Sequence, residues 1–416
     1  MGKNHNNRSI SFVARRYLAG KSRMGISRAH LLTIGGIALG VMALIVVSSV
    51  MNGMRNDIQK RIMGTLSEIR LSAHKGEPLD DYQALIDKIN AVGYAASPVV
   101  RQELLIRSES GTATPAVAFG IDAKTHPQVS SVLISSRQNE DLQGIIAGAL
   151  DSESFDEGGI ILGAGIAADL GIFLDDEVLL ISPIFSIPSP FGMLPHLHSL
   201  KVQAIFNAGM PEYDQNYVFI PLSVAQSFAG YSTEIDYLEI KSGDRSYSKK
   251  HLKKLSAMFK DYKLEDWGDF DASLYGAIRF EKYLMFVILL FMFVIAGFNL
   301  TGSLLKIITQ KKPELGLLKA LGYNERDLRQ LFMMQAMMLC TLGIALGLIL
   351  GSVMLFIQAK TGLVKLEDFM TLPVKIQFSD YLLVIAVSYL ITWLSILLPL
   401  KQLSGIDAVK LIRKNA

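Results

Sequence analysis

Apolar positions gather into four long runs. Leu31 to Met51 reads LLTIGGIALGVMALIVVSSVM without a charge, and Tyr283 to Ile308 is interrupted only by Lys306. Leu331 to Ile357 and Tyr381 to Leu400 are likewise uncharged. About 20 apolar residues in a helix cross a hydrocarbon core of about 30 Å, so each run predicts a membrane span. Four such runs in one chain argue against buried core helices. Between the first two runs the pattern changes to short alternating segments. Glu68–Ser72, Val99–Arg107 and Ala116–Ile121 read as strands, and Leu79–Ala91 as a helix with Leu85, Ile86 and Ile89 on one side. Gly158–Pro183 reads as a strand, a helix from Ala164, a turn at Gly171 and a strand Glu177–Ser182. Strands follow at Leu200–Asn207, Tyr217–Ile220 and Tyr237–Lys241, with helices at Pro221–Phe228 and Tyr247–Phe259. This is an α+β pattern.

Charge orients the spans. The segment before the first run holds Lys3, Arg8, Arg15, Arg16, Lys21, Arg23 and Arg28 and no acid. Lys311, Lys312, Lys319, Arg326 and Arg329 lie between the second and third runs, and Lys401, Lys410, Arg413 and Lys414 follow the fourth. Short basic loops stay in the cytoplasm, so these three segments are expected there. The fold class that results is a membrane protein of four transmembrane α-helices, with a large α+β periplasmic domain inserted between the first and second. The expected divisions are 1–30 (N-terminal segment), 31–53 (first helix), 54–279 (domain of two subdomains) and 280–308 (second helix). They continue with 309–330 (cytoplasmic loop), 331–358 (third helix), 359–380 (periplasmic loop), 381–403 (fourth helix) and 404–416 (tail). The first run is too long for the apolar core of a cleavable signal, so an uncleaved anchor is expected. Ser9–Lys21 places Ile10, Val13, Tyr17 and Leu18 on one helical face: either an interfacial amphipathic helix or a basic leader without structure.

The chain is 416 residues long, half of them hydrophobic, with a mean hydropathy of +0.33 concentrated in the four runs. The large domain carries about ten more acids than bases, and its length suffices for its own core. Cys340, the only cysteine, lies in the third run, so neither disulfides nor a cysteine metal site can hold the domain together.

Catalytic motifs fail on context. Ala19-Gly20-Lys21-Ser22 resembles the end of a phosphate loop, but the required earlier glycine is Arg15. His196 and His198 have no carboxylate partner at metal-ligand spacing, and Asp175-Asp176-Glu177 suits a solvated turn. No enzyme active site, metal, cofactor or nucleic-acid surface is expected. Gly36 and Gly40, and Gly343, Gly347 and Gly351, have the spacing that lets helices approach closely. Asn299 in the second run needs a polar neighbour. Ile184–Ser199 (IFSIPSPFGMLPHLHS) holds Pro188, Pro190 and Pro195, which exclude a central strand; it is either a binding arm or a loop folded on its own core. Lys311–Tyr323 (KKPELGLLKALGY) predicts a short helix. Pro313 and Glu314 suit its first turn, Leu315, Leu318 and Leu321 its apolar face, and Gly322 its end. Asn324, with Asp327 three residues on, caps the next helix. Such a helix fits a groove on another protein or lies on lipid.

Thr33–Gly53 resembles the first span of the membrane subunits of the Lol lipoprotein-releasing system, the LolC/LolE family of ABC transporter permeases. Phe298-Asn299 with Ser303-Leu304, Glu314–Gly322, Ala208–Asp214 and Gly405–Val409 resemble the same family. The loop and tail motifs are shared with the wider superfamily of macrolide-exporter and cell-division permeases. The resemblance implies a subunit of an ATP-driven transporter in the inner membrane of a Gram-negative-type bacterium. It would extract lipoproteins from the outer leaflet and pass them to a periplasmic carrier. It implies a coupling helix of Pro313, Glu314, Leu315, Leu317, Leu318, Lys319, Leu321 and Gly322 docked on a cytoplasmic LolD-like ATPase dimer, which binds the ATP. It implies a second permease subunit, a paralogue or the chain itself, and a LolA-like carrier. A carrier-binding hook would fall at Pro188, Pro190, Phe191, Gly192, Met193, Leu194 and Pro195. Met51, Met54, Tyr283, Phe286, Phe291 and Phe293 are the candidates for lipoprotein contact, alongside membrane lipids. The competing readings are a macrolide-exporter-like exporter of small molecules or peptides, and a mechanotransmitting membrane regulator of a periplasmic enzyme.

Overall fold

The computed structural model describes residues 28–135, 143–189, 192–242, 249–270, 272–310, 312–365 and 371–401. The N-terminal amphipathic segment, the tail and residues Pro190 and Phe191 of the candidate hook lie outside them. Helix α1 runs unbroken from Arg28 to Leu66. The chain then forms β1 (Ile69–Ala73), α2 (Tyr82–Ala91), β2 (Tyr94–Ser108), β3 (Ala113–Ile121), β4 (Gly144–Gly148), α3 (Ser152–Asp156), β5 (Gly159–Gly163) and α4 (Ala164–Leu170). Next come β6 (Glu177–Ser189), β7 (Gly192–Asn207), α5 (Pro211–Asp214), β8 (Tyr217–Pro221), α6 (Leu222–Ala229), β9 (Tyr237–Ser242), α7 (Lys249–Met258), β10 (Tyr262–Asp266) and α8 (Trp267–Phe270). Helices α9 (Ala272–Gln310), α10 (Lys312–Ala320), α11 (Glu325–Thr361) and α12 (Phe378–Lys401) complete it. The contacts divide the chain into two compact units, Ile58–Gly276 and Met1–Asp57 with Ala277–Ala416.

The Ile58–Gly276 unit rests on one ten-stranded sheet. Its strands β10, β1, β9 and the first half of β2 form an open wing. Beyond that, pairing closes on itself: β2 with β3, β3 with β8, β8 with β5, β5 with β7, β7 with β6, and β6 back to β2. A closed barrel leaves these strands no free edge. Alternate residues fill it: Leu104 and Ile106, Ala116 and Ala118, Ile160 and Leu162, Val178 and Leu180, Leu200 and Val202, Val218 and Ile220, all in one buried cluster. The same cluster continues under α2 and α7 through Ile86, Ile89 and Leu255. The other face carries Val99, Phe119, Phe206, Phe219 and Tyr237, and packs on Ile62 and Leu66 of α1.

Two expectations need correction. Ile184–Ser199 is not a loop: β6 and β7 stay paired across it, with Ser186 opposite Pro195 and Pro188 opposite Met193, after a register break between Ile181 and Ser186. The prolines are tolerated because the ribbon has left the sheet there, so no further described strand needs the missing N–H groups. The long helices also overrun their apolar runs. α1 continues to Leu66 where the domain was expected from residue 54, and α9 begins at Ala272 where the span was expected from residue 280. The extension of α1 is held in the helix by tertiary contacts through Ile62 and Leu66.

In the other unit, α11 packs on α1 through its glycines. A Cβ on Gly343 would lie 2.7 Å from the Cβ of Ile37, and one on Gly347 2.6 Å from the carbonyl oxygen of Ala38. The stripe therefore serves packing within the chain. Gly40, by contrast, faces open space. α12 joins α11 where Thr392 Oγ1 donates to Cys340 Sγ at 3.0 Å. α9 joins α12 where Thr301 Oγ1 donates to the carbonyl of Ser395 at 2.9 Å. After α11 the chain returns along α1. The Pro373 carbonyl fills the space a side chain at Gly53 would need, and Lys375 N donates to the Ser49 carbonyl at 3.0 Å. Among the described residues three helices, His30–Leu66, Glu325–Thr361 and Phe378–Leu397, are long and apolar enough to cross a membrane.

Candidate functional site

The segment between α9 and α11 folds as the short helix its pattern predicts, over Lys312–Ala320. Glu314 lies in its first turn, and Gly322 follows its end with φ 98°. Asn324 and Asp327 form the expected capping box at the start of α11. Its leucines divide. Leu315 is fully buried beside Ile308, Leu328, Leu331 and Phe332, and half-buried Leu318 packs on the same cluster. Leu317 and Leu321 are 59% and 70% exposed. The Leu315–Leu318 face is therefore taken up by the chain itself, because these positions point into the corner where α9 gives way to α11. The free apolar pair is Leu317 and Leu321, one helical turn apart. Lys319 Nζ lies 3.6 Å from Glu325 and braces the corner.

A second constellation ties α1 to the sheet. Arg61 is buried, and its Nη1 donates to the Gly209 carbonyl at 2.9 Å. Gly209 has φ 69°, and a Cβ there would fall 1.8 Å from that Nη1, so only glycine fits. The turn is held by Asp214, whose Oδ1 accepts the Ala208 N–H at 2.6 Å. Burial pushes the Asp214 carboxyl up, against the pull of backbone N–H groups and Arg61. Ser130 and Ser131 donate to the carbonyls of Gly64 and Thr65, which end the helix without intrahelical partners. This explains the Ala208–Asp214 motif, whose role its sequence does not disclose. Arg61 escaped the sequence reading; its signal was a cation in helical register beside Ile58 and Ile62.

Of the candidate hook, Pro188 and Gly192, Met193, Leu194 and Pro195 lie in the β6–β7 ribbon. At its root His196 and His198 lie over Phe228, with ring centroids 4.5 and 6.4 Å away, and Ser227 Oγ lies 3.4 Å from His196 Nε2. Burial and the neighbouring His196 lower the His198 pKa. These rings are packing groups on α6. Of the candidate lipid contacts, Tyr283, Phe286 and Phe291 are exposed on α9, and Met51 and Met54 are half-buried on α1. The Phe293 side chain lies outside the described set. A polar knot is buried in the wing: Glu239 sits 3.7 Å from Arg70 Nη2 and 3.8 Å from His126 Nε2, and Arg70 stacks over Tyr237. Burial pushes Glu239 up to about 8 and His126 down to about 3. Ser97 Oγ lies 3.2 Å from His126 Nδ1.

Comparison with known proteins fits this architecture. Residues 31–248 match the MacB-like periplasmic core domain, and residues 286–408 the FtsX-like permease C-terminal domain. The chain is 27% identical over 425 residues to the lipoprotein-releasing system transmembrane protein LolC of Neisseria meningitidis, covering 97% of this chain and 98% of that one. It is 25% identical to LolC of Xylella fastidiosa, over 96% and 98% of the two chains, and 25% identical to LolE of Haemophilus influenzae, over 97% and 99%. Among solved structures, the periplasmic region of MacB from Actinobacillus actinomycetemcomitans aligns over 52% of this chain and 95% of that one, at 15% identity and a TM-score of 0.32. The chain belongs to the family of membrane permeases with a MacB-like periplasmic core domain, and its likeness to LolC and LolE runs along nearly its whole length.

Proposed function

We propose that this chain is the membrane subunit of an ATP-driven transporter that extracts lipoproteins from the outer leaflet of the inner membrane. α1, α9, α11 and α12 are its four spans, with the Ile58–Gly276 unit in the periplasm and α10 in the cytoplasm. A cytoplasmic ATPase dimer docks on α10, and a second permease subunit, a paralogue or another copy, completes the membrane part. The extracted lipoprotein passes to a soluble periplasmic carrier captured by the β6–β7 ribbon.

One observation carries the coupling: Leu315 locks α10 into the core, while Leu317 and Leu321 remain outside it. A rigidly seated helix with a small exposed apolar pair can transmit a push without bending. The transport task also sets a physical requirement. Moving acyl chains into water costs about 0.8 kcal/mol per CH₂, so a multiply acylated lipoprotein needs tens of kcal/mol unless its chains stay in apolar surroundings. The outer half of α9, with Phe280, Tyr283, Phe286, Phe291 and Ile295 exposed, supports such a path. The test is Leu317→Asp with Leu321→Asp in the intact chain. Co-purifying ATPase and lipoprotein release in reconstituted vesicles should both be lost while the permease stays folded. Retention of bound ATPase would refute the assignment.

A further inference from the structure

Along the seam between α1 and α11 the close contacts repeat every four residues. A Cβ on Gly343 would lie 2.7 Å from that of Ile37, one on Gly347 2.7 Å from that of Val41, and one on Gly351 3.6 Å from that of Ile45. Both rows advance together, so the helices run parallel with a branched side chain set on each glycine. Such a seam does not fix its own register. A slip of one turn, about 6 Å, sets Ile37 on Gly347 and Val41 on Gly351, and the same fit is remade there.

One polar contact does not repeat. Gln335 Nε2 lies 3.1 Å from His30 Nε2. His30 is 3% exposed and Gln335 is fully buried, so water does not stand in for either partner. One turn along in either direction, the residue that α11 brings opposite His30 is Leu339 or Leu331. A slip would therefore strand both polar groups in apolar surroundings.

Stability does not account for the pair. Among the described residues His30 Nδ1 and Gln335 Oε1 have no hydrogen-bond partner, so two polar atoms stay unmet that an apolar replacement would avoid. A buried polar contact kept despite this is suited to selecting one alignment among several that pack alike.

We propose that His30 and Gln335 form a register key, which holds α1 and α11 at one alignment of a seam whose packing accepts more than one. Leu331 and Phe332, one turn before Gln335, lie in the cluster that buries Leu315 of α10. A displacement of α10 then reaches α1 through α11 without loss to slip, a consequence that rests on the function proposed above; the key itself does not.

The test reads the alignment in the full chain in detergent, by mild oxidation and mass spectrometry of disulfide-linked peptides. Ile45→Cys with Gly351→Cys reports the alignment described here, its Cβ separation falling within the roughly 3.5–4.5 Å that a disulfide spans. Val41→Cys with Gly351→Cys reports the slipped one. With His30 and Gln335 in place, only the first pair should link. His30→Leu with Gln335→Leu should raise the second link at least about tenfold and should not lower the melting temperature. Gln335→Leu alone should also release the slip, since His30 then has no partner in either alignment. His30→Gln, which leaves Gln335 a partner, should keep the second link absent. Linking of the second pair in the parent overturns the proposal, as does its absence from both Gln335→Leu chains while the first pair still links. No ATPase takes part, so neither result depends on whether one docks on α10.

Discussion

Arg61→Ala probes the joint between α1 and the sheet. The substitution removes the hydrogen bond to the Gly209 carbonyl and a cation that draws the half-buried Asp214 carboxyl down. Arg61 is only 6% exposed, so water cannot replace the lost partner. Leaving a buried carbonyl without its donor costs about 1–3 kcal/mol. In a unit of this size each kcal/mol shifts Tm by roughly 2–4 °C, which gives a loss of about 2–12 °C. Trp267, 9% exposed in the same core cluster, reports unfolding. With Trp393→Phe as background it is the only tryptophan, and the full chain can be melted in detergent. A shift below about 2 °C for Arg61→Ala would show that the joint is held by Ile62 and Leu66 alone.

Other perturbations separate parts of the structure. Gly347→Val should force α1 and α11 apart and lower the detergent melting temperature, because its Cβ would meet the Ala38 carbonyl and Val41, whereas Gly40→Ala meets nothing and should be silent. Stability of the large domain, followed by Trp267 emission, should be greatest between pH 4.5 and 6.5. Glu239, raised from 4.5 to about 8, adds stability that is lost as pH rises through 8, and His126, lowered from 6.5 to about 3, adds stability that is lost as pH falls through 3. Glu239→Gln should flatten the alkaline limb; an unchanged limb would exclude Glu239 as its source. Deleting Ser186–Pro195 should leave the melting temperature unchanged, since the described strand residues there pair only with each other, and should abolish carrier pull-down; a retained pull-down would place carrier capture elsewhere.

Which parts of this could be read from sequence depends on how far apart the interacting residues are. Leu85, Ile86 and Ile89 announce one face of α2 because local periodicity within a ten-residue helix decides it. The capping box at Asn324 and Asp327 is equally local, its two members three positions apart. Barrel closure is not, because it needs β6 to find β2 some seventy positions earlier, at Ile181 opposite Leu105. Nothing in the alternating pattern of either strand names that partner. The proline-rich segment misled for a related reason. Proline excludes a strand only where a neighbour demands its N–H, and whether a neighbour exists is a property of the whole sheet.

α10 shows the same limit at the scale of one helix. Periodicity groups Leu315, Leu318 and Leu321 as one apolar face, because a sequence records only which residues avoid water. It cannot record what covers them. In the fold, Ile308 of α9 and Leu328, Leu331 and Phe332 of α11 arrive from both sides and take Leu315 and Leu318. The surface left for a partner is then Leu317 with Leu321, a pair that straddles the expected stripe. A substitution at Leu318 would therefore loosen the seat and the docking surface together, and its phenotype could not tell them apart. Substitutions at Leu317 and Leu321 disturb only what lies outside, so they isolate the proposed contact with an ATPase from the stability of the helix that would make it.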